Sequence, residues 1–133
     1  MNFVKNLAFF TVLIAVLSFV LVLPVFAESN FQPQNLIGEW WGEWKFRTFG
    51  GKVFLTIDKV GGKKVSGEIQ MSNSKIPAEK FTEGLLEENV LKIKTKLRYI
   101  ELTITDKEMN GFVETTIGPT VLRSELEHLA RVK

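Results

Sequence analysis

The sequence contains no cysteine and a single histidine, His128. Without cysteine the chain has no disulfide, no cysteine-based zinc site, no thiol nucleophile and no residue that carries the lipid of a lipoprotein. An acyl-transfer triad needs a histidine beside a nucleophile and a carboxylate. His128 follows Glu127 near the end of the chain, where a solvated side chain is the simpler interpretation. We therefore predict a protein that is not an enzyme and that holds no cofactor.

Clustered metal ligands and an excess of one charge are also lacking. Glu87-Glu88 and the pair Glu125 and Glu127 come nearest to metal-ligand spacing, and both are typical of solvated surface. The chain has 17 Lys and Arg against 15 Asp and Glu, whereas a nucleic-acid interface needs a clear basic excess or stripe. We expect no metal site and no nucleic-acid partner.

Charge is almost absent from residues 1–27, in which Lys5 is the only charged side chain. Residues 7–23 are apolar with two exceptions, and Val25 and Ala27 stand three and one positions before a cleavage site after Ala27. This is the pattern of a secretory signal peptide. We therefore expect residues 1–27 to be removed and the protein to be secreted or periplasmic.

The alternative is an uncleaved membrane anchor formed by residues 7–23. As a helix this segment rises about 25 Å, which is somewhat short of a hydrocarbon core of roughly 30 Å. Only in that case is the membrane itself a partner. Either way, residues 28–35 form a polar lead and residues 36–133 form one folded domain of ordinary composition.

Helical periodicity is absent after the lead, and alternation of apolar and polar residues takes its place. It occurs in eight short runs, separated by turn residues, at 37–48, 52–60, 63–72, 79–86, 90–95, 98–105, 108–117 and 120–127. Such runs without intervening helices predict an all-β antiparallel domain. Closure of a one-faced sheet removes its edges, so we predict an up-and-down β-barrel of about eight strands, with a β-sandwich as the alternative.

One of these strands interrupts its own alternation. In residues 79–86, Glu83 shares a face with Phe81 and Leu85. Glu83 therefore either points into the barrel as a polar anchor, or lies outside because a β-bulge shifts the register.

The first strand opens with Gly38-Glu39-Trp40 after a short lead, and Gly42-Glu43-Trp44 repeats the spacing. This opening resembles that of the lipocalins and of the wider calycin group, whose signature is Gly-x-Trp at the start of the first strand. In that group the tryptophan closes one end of the barrel under an arginine of the last strand. The resemblance implies a lipocalin-like barrel, with Trp40 and Arg123 in these two positions.

Four aromatic residues on inward faces have two interpretations. Trp40, Trp44, Phe46 and Phe81 either line a pocket for a small hydrophobic molecule, with Glu83 as its polar anchor, or fill the barrel. The first interpretation predicts an exported ligand-binding protein. The second predicts an interaction or scaffold module of the envelope or the extracellular space, with a protein partner on its outer face and loops, for instance residues 72–77. The volume of the interior decides between them.

Overall fold

The protein is described by a computed structural model over residues 32–132, which form a closed antiparallel barrel preceded by a short 3₁₀ helix. The elements are the 3₁₀ helix Pro33–Leu36, β1 (Gly38–Phe46), β2 (Phe49–Gly61), β3 (Lys64–Met71), β4 (Glu79–Glu87), β5 (Val90–Lys94), β6 (Arg98–Ile104), β7 (Glu108–Ile117) and β8 (Thr120–Arg131). Each strand pairs with its neighbours in sequence, and β8 pairs with β1. The up-and-down barrel of eight strands is confirmed over the sandwich. The predicted signal segment lies outside the described residues.

Apolar side chains on alternate positions fill the interior of the barrel. In β6, for example, Ile100, Leu102 and Ile104 are buried while the residues between them are more exposed. Twenty buried hydrophobic residues of the described chain form one cluster. All of them lie between the 3₁₀ helix and the end of β8, within a compact unit that has its own hydrophobic core, as an independently folding domain requires.

The barrel has two different ends. The 3₁₀ helix covers the end at which β2 turns into β3, because Leu36 is buried and Gln34 Nε2 donates to the carbonyl of Val60 at 3.1 Å. We call this the closed end; it also holds the β4–β5 and β6–β7 turns. The opposite end, here the open end, holds the β1–β2, β3–β4, β5–β6 and β7–β8 connections.

A bulge in β4 decides the position of Glu83. The register between β3 and β4 shifts between Val65 and Gly67, which pair with Gly84 and Phe81. Two residues of β4, one of them Glu83, therefore lie opposite one residue of β3. Phe81 and Gly84 are buried and Glu83 is exposed. The inward orientation of Glu83 is wrong, and the bulge is the correct alternative.

A second bulge changes the inward face of β8. Met109 pairs with Leu129 and Gly111 pairs with Leu126, so Glu127 and His128 together lie opposite one residue of β7. His128 has φ 56°. The strand then continues to Arg131, beyond the predicted end at residue 127, with its alternation reversed.

Within residues 32–132 no helix is long and apolar enough to cross a bilayer.

Gly111 is a position where the barrel requires glycine. A Cβ added there would collide with the carbonyl oxygen of Glu101 on β6. Gly111→Ala is therefore expected to lower the free energy of unfolding by about 2–3 kcal/mol, since the strands must separate to accept the methyl group. Urea unfolding of the two proteins measures the difference.

The matched control is Gly61→Ala in the β2–β3 turn, where nothing lies within 4 Å of an added Cβ. An equal loss in both variants would show that the β6–β7 contact is not the cause.

Candidate functional site

Trp40 and an arginine close one end of the barrel. The Trp40 side chain is buried, and its Nε1 donates to the carbonyl of Leu36 at 2.8 Å. The Arg131 guanidinium lies over the indole, with Cζ 4.9 Å from the ring centroid, and Nη1 donates to the carbonyl of Ile37 at 2.9 Å. The Trp40 side chain of β1 thus binds the 3₁₀ helix through a hydrogen bond and β8 through a cation–π contact.

Arg123, the residue expected over Trp40, lies elsewhere. Its guanidinium stacks on Phe112 on the outside of the barrel, with Cζ 3.8 Å from the ring centroid. Strict alternation along β8 would point the Arg131 side chain outward, but the bulge at His128 reverses its orientation. The assignment of Arg123 is therefore corrected to Arg131.

The outer wall of β7 and β8 carries a shallow groove of about 490 Å³. Phe112, Arg123 and His128 contribute to its lining. The His128 side chain is 67% exposed, and its Nδ1 lies 3.3 Å from Glu108 Oε2. The histidine is a surface residue, as expected from the sequence.

The aromatic residues predicted to line a pocket are spread along the barrel. Trp40 lies at the closed end and Phe81 is buried in the core. Trp44 and Phe46 are half-buried towards the open end of β1, where Trp44 Nε1 donates to the carbonyl of Ser72 at 2.9 Å. From Trp40 to Phe46 the strand rises about 20 Å, so Trp40 lies at the opposite end of the barrel from Trp44 and Phe46.

Apolar side chains project from the open end. Phe49 is 70% exposed, Ile117 55% and Val121 57%. They belong to two neighbouring hairpins, because β1 pairs with both β2 and β8. The β7–β8 hairpin extends past β1, since β8 begins at Thr120 but first pairs with β1 at Glu125.

The open-end surface comprises residues 46–49, 72–78, 94–97 and 117–121. Its charged residues are Arg47, Lys75, Lys94 and Lys96, all exposed, and it contains no Asp or Glu. The turns of the closed end are mixed: residues 61–64, 87–90 and 104–108 carry Lys63, Lys64, Lys107, Glu87, Glu88, Asp106 and Glu108. Among residues 32–132, exposed apolar hairpin tips and turns without acidic residues therefore occur together at the open end.

Backbone pairing in the closed barrel is sparse between β4 and β5, and we call this boundary the seam. The two strands pair at three positions, over Leu85–Glu87 and Val90–Lys92. The part of β4 nearer the open end, residues 79–84, pairs with β3 alone. In the paired part of the seam, nearer the closed end, a hydrogen bond from Lys92 to Glu87 raises the pKa of Lys92.

A buried ion pair holds this seam together at the open end. Arg98 Nη1 lies 2.9 Å from Glu79 Oε1, and the amide of Leu97 donates to Glu79 Oε2 at 3.3 Å. The Arg98 side chain is fully buried, Nη2 lies 3.5 Å from Ser74 Oγ, and Nε has no hydrogen-bond partner among the described residues. Burial lowers the pKa of Arg98, and the charge of Glu79 acts in the opposite direction.

The pair was not singled out from the sequence, although its signal is present. Arg98 has the same parity as Ile100, and Glu79 has the same parity as Phe81. Two opposite charges on inward positions indicate a buried pair only once the two strands are known to be close.

Comparison with known proteins adds no relative: no protein-family model, no curated protein and no solved structure gives a significant match to the chain. In residues 32–132 no group of three His, Asp or Glu side chains is placed to hold a metal ion.

Arg131→Ala is expected to lower the free energy of unfolding by about 1–2 kcal/mol, because it removes the contact with Trp40 and the hydrogen bond to Ile37. Thermal and urea unfolding measure the loss. Arg123→Ala is the matched control and is expected to cost about 0.5 kcal/mol, because its stacking is solvated. A larger loss for Arg123→Ala would contradict this assignment.

Glu79→Gln is expected to destabilise the barrel by about 2–4 kcal/mol, since it leaves the buried Arg98 charge without its counterion. Hydrogen exchange should increase first at the amides of residues 80–84 and 94–97, which border the seam. Glu87→Gln is the control. It removes the exposed Lys92–Glu87 ion pair in the paired part of the seam, and it should change neither the free energy of unfolding nor the hydrogen exchange at these amides. Uniformly faster exchange in Glu79→Gln would argue against a local opening.

Proposed function

We propose that this chain is an exported barrel that works as an interaction module through its open-end surface, with the packed interior as its scaffold. The observation that carries this proposal is the combination of a filled core and exposed apolar hairpin tips at one end. Phe49, Ile117 and Val121 lie largely outside the core, so stability does not require them to be apolar. Exposed apolar groups rimmed by polar residues are typical of contact surfaces.

Export is part of the proposal and rests on the sequence of residues 1–27. The core contains no cysteine, so its packing is the same in an oxidising and a reducing compartment and the barrel is compatible with export. If residues 7–23 are retained, they attach the same barrel to a membrane.

A second candidate function is the binding of a small hydrophobic molecule. It is favoured by Trp44 and Phe46, which are half-buried near the open end. The contact of Arg131 with Trp40 supports the resemblance to calycins, many of which carry such ligands. Because the core beneath is packed, the molecule would lie at the mouth of the barrel, with no polar anchor from Glu83.

A ligand panel separates the two functions. Fatty acids, retinoids and haem at micromolar concentration are expected to leave both the tryptophan fluorescence and the Tm unchanged, because twenty buried apolar side chains occupy the core. A bound ligand at one hundred times its Kd would add about 2.7 kcal/mol of stability, which a thermal scan detects easily.

Trp44→Phe is the control variant. A ligand that raises the Tm and changes the fluorescence of the wild-type protein, but has neither effect on Trp44→Phe, would contradict the interaction module. It would favour the second candidate function, the binding of a small hydrophobic molecule.

A further inference from the structure

We infer that the partner of the open-end surface is an anionic phospholipid membrane, on which the barrel docks by its end. This inference rests on the proposed function, because it names the partner of that same surface. The observation that carries it is that projecting apolar side chains and turns whose charged residues are all basic occur at the same end of the barrel.

The apolar part has the geometry of shallow insertion. Phe49 and Ile117 lie at the tips of neighbouring hairpins, and Val121 lies on the hairpin that extends past β1. Their exposed fractions, 55–70%, leave most of each side chain available to a new contact. Interfacial protein segments bury their apolar groups about 5–10 Å deep at the boundary of headgroups and acyl chains, a depth that hairpin tips reach without disturbing the barrel.

The charged part matches an anionic headgroup layer. Arg47, Lys75, Lys94 and Lys96 come from three different turns, and none of them forms an ion pair with another described residue. Each basic residue near an anionic surface contributes attraction, which falls off within a Debye length. Glu79, which directly follows the connection between β3 and β4, is already paired with Arg98.

The distribution over one end favours a membrane over a peptide or a folded protein. All four connections of the open end lie on the same side of the barrel, so one extended surface meets the basic residues and the apolar tips together. A polyanion would use the charges but has no need of Phe49 or Ile117. A neutral protein partner would use the apolar tips but has no need of four unpaired cations.

Co-sedimentation with vesicles tests the inference. The chain from Glu28 to Lys133 is used, because residues 7–23 would insert into any bilayer. Binding is expected to vesicles of phosphatidylcholine and phosphatidylglycerol in equal amounts, to weaken as salt is added, and to be far weaker with phosphatidylcholine alone.

The charge variants are Lys94→Gln and Lys96→Gln. Each is expected to weaken binding to the anionic vesicles about fivefold, the factor that corresponds to about 1 kcal/mol per basic residue. The controls are Lys63→Gln and Lys64→Gln at the closed end, which should leave binding unchanged. Equal losses at the two ends would overturn the docking geometry.

The apolar variants are Phe49→Ser and Ile117→Ser, each expected to weaken binding roughly tenfold through the loss of buried apolar area. Leu85→Ser is their control, because Leu85 is exposed on the side wall at 37%. All seven replaced side chains, those of Lys63, Lys64, Lys94, Lys96, Phe49, Ile117 and Leu85, are exposed, so the Tm should stay near that of the wild type.

Each outcome discriminates. Equal binding to both kinds of vesicle overturns the inference. It is also overturned if immobilised polyglutamate retains the Phe49→Ser and Ile117→Ser variants as well as the wild type, because the partner is then a polyanion. Absence of vesicle binding, together with a silent ligand panel, overturns the membrane partner and leaves the interaction module standing. A small hydrophobic molecule that the ligand panel shows to bind at the mouth of the barrel overturns the proposed function itself.

Discussion

The barrel depends on the pairing of β1 with β8, because this contact turns an open sheet into a closed one. The pairing shifts register between Trp41 and Glu43, where Gly42 lies against the bulged part of β8. A Cβ at Gly42 would come within 2.6 Å of the carbonyl oxygen of Glu127, so the strands approach this closely only with glycine. The same shift turns Arg131 towards Trp40, which connects closure of the sheet to closure of its end.

The eight strands and the barrel follow from alternation, because each side chain of a strand faces either a packed interior or water. A bulge leaves a trace in the sequence only where it breaks the alternation. At Glu83 the break leaves two orientations open, of which the structure shows the bulge. In β8 no break is visible, so Arg123 is predicted in the position that Arg131 occupies. The sequence indicates one loop of the open-end surface, residues 72–77, but not the surface as a whole, because its members come from four separate turns that only the topology brings together.

Packing and polarity are distributed unequally along the barrel axis. The closed end has the 3₁₀ helix and the Trp40–Arg131 contact, whereas the open end depends on the Glu79–Arg98 pair across a seam with little backbone pairing. Breaking such a pair is costly because the remaining charge is buried. The proposed contact surface therefore lies at the end of the barrel where the wall has less backbone pairing.

The 3₁₀ helix and the last residues of β8 meet at the closed end, where the amide of Val132 donates to the carbonyl of Glu39 at 2.9 Å. Residues 32 and 132 therefore lie at the same end of the described barrel. The described chain enters and leaves the barrel at the closed end, so the open-end surface is built from connections between strands alone.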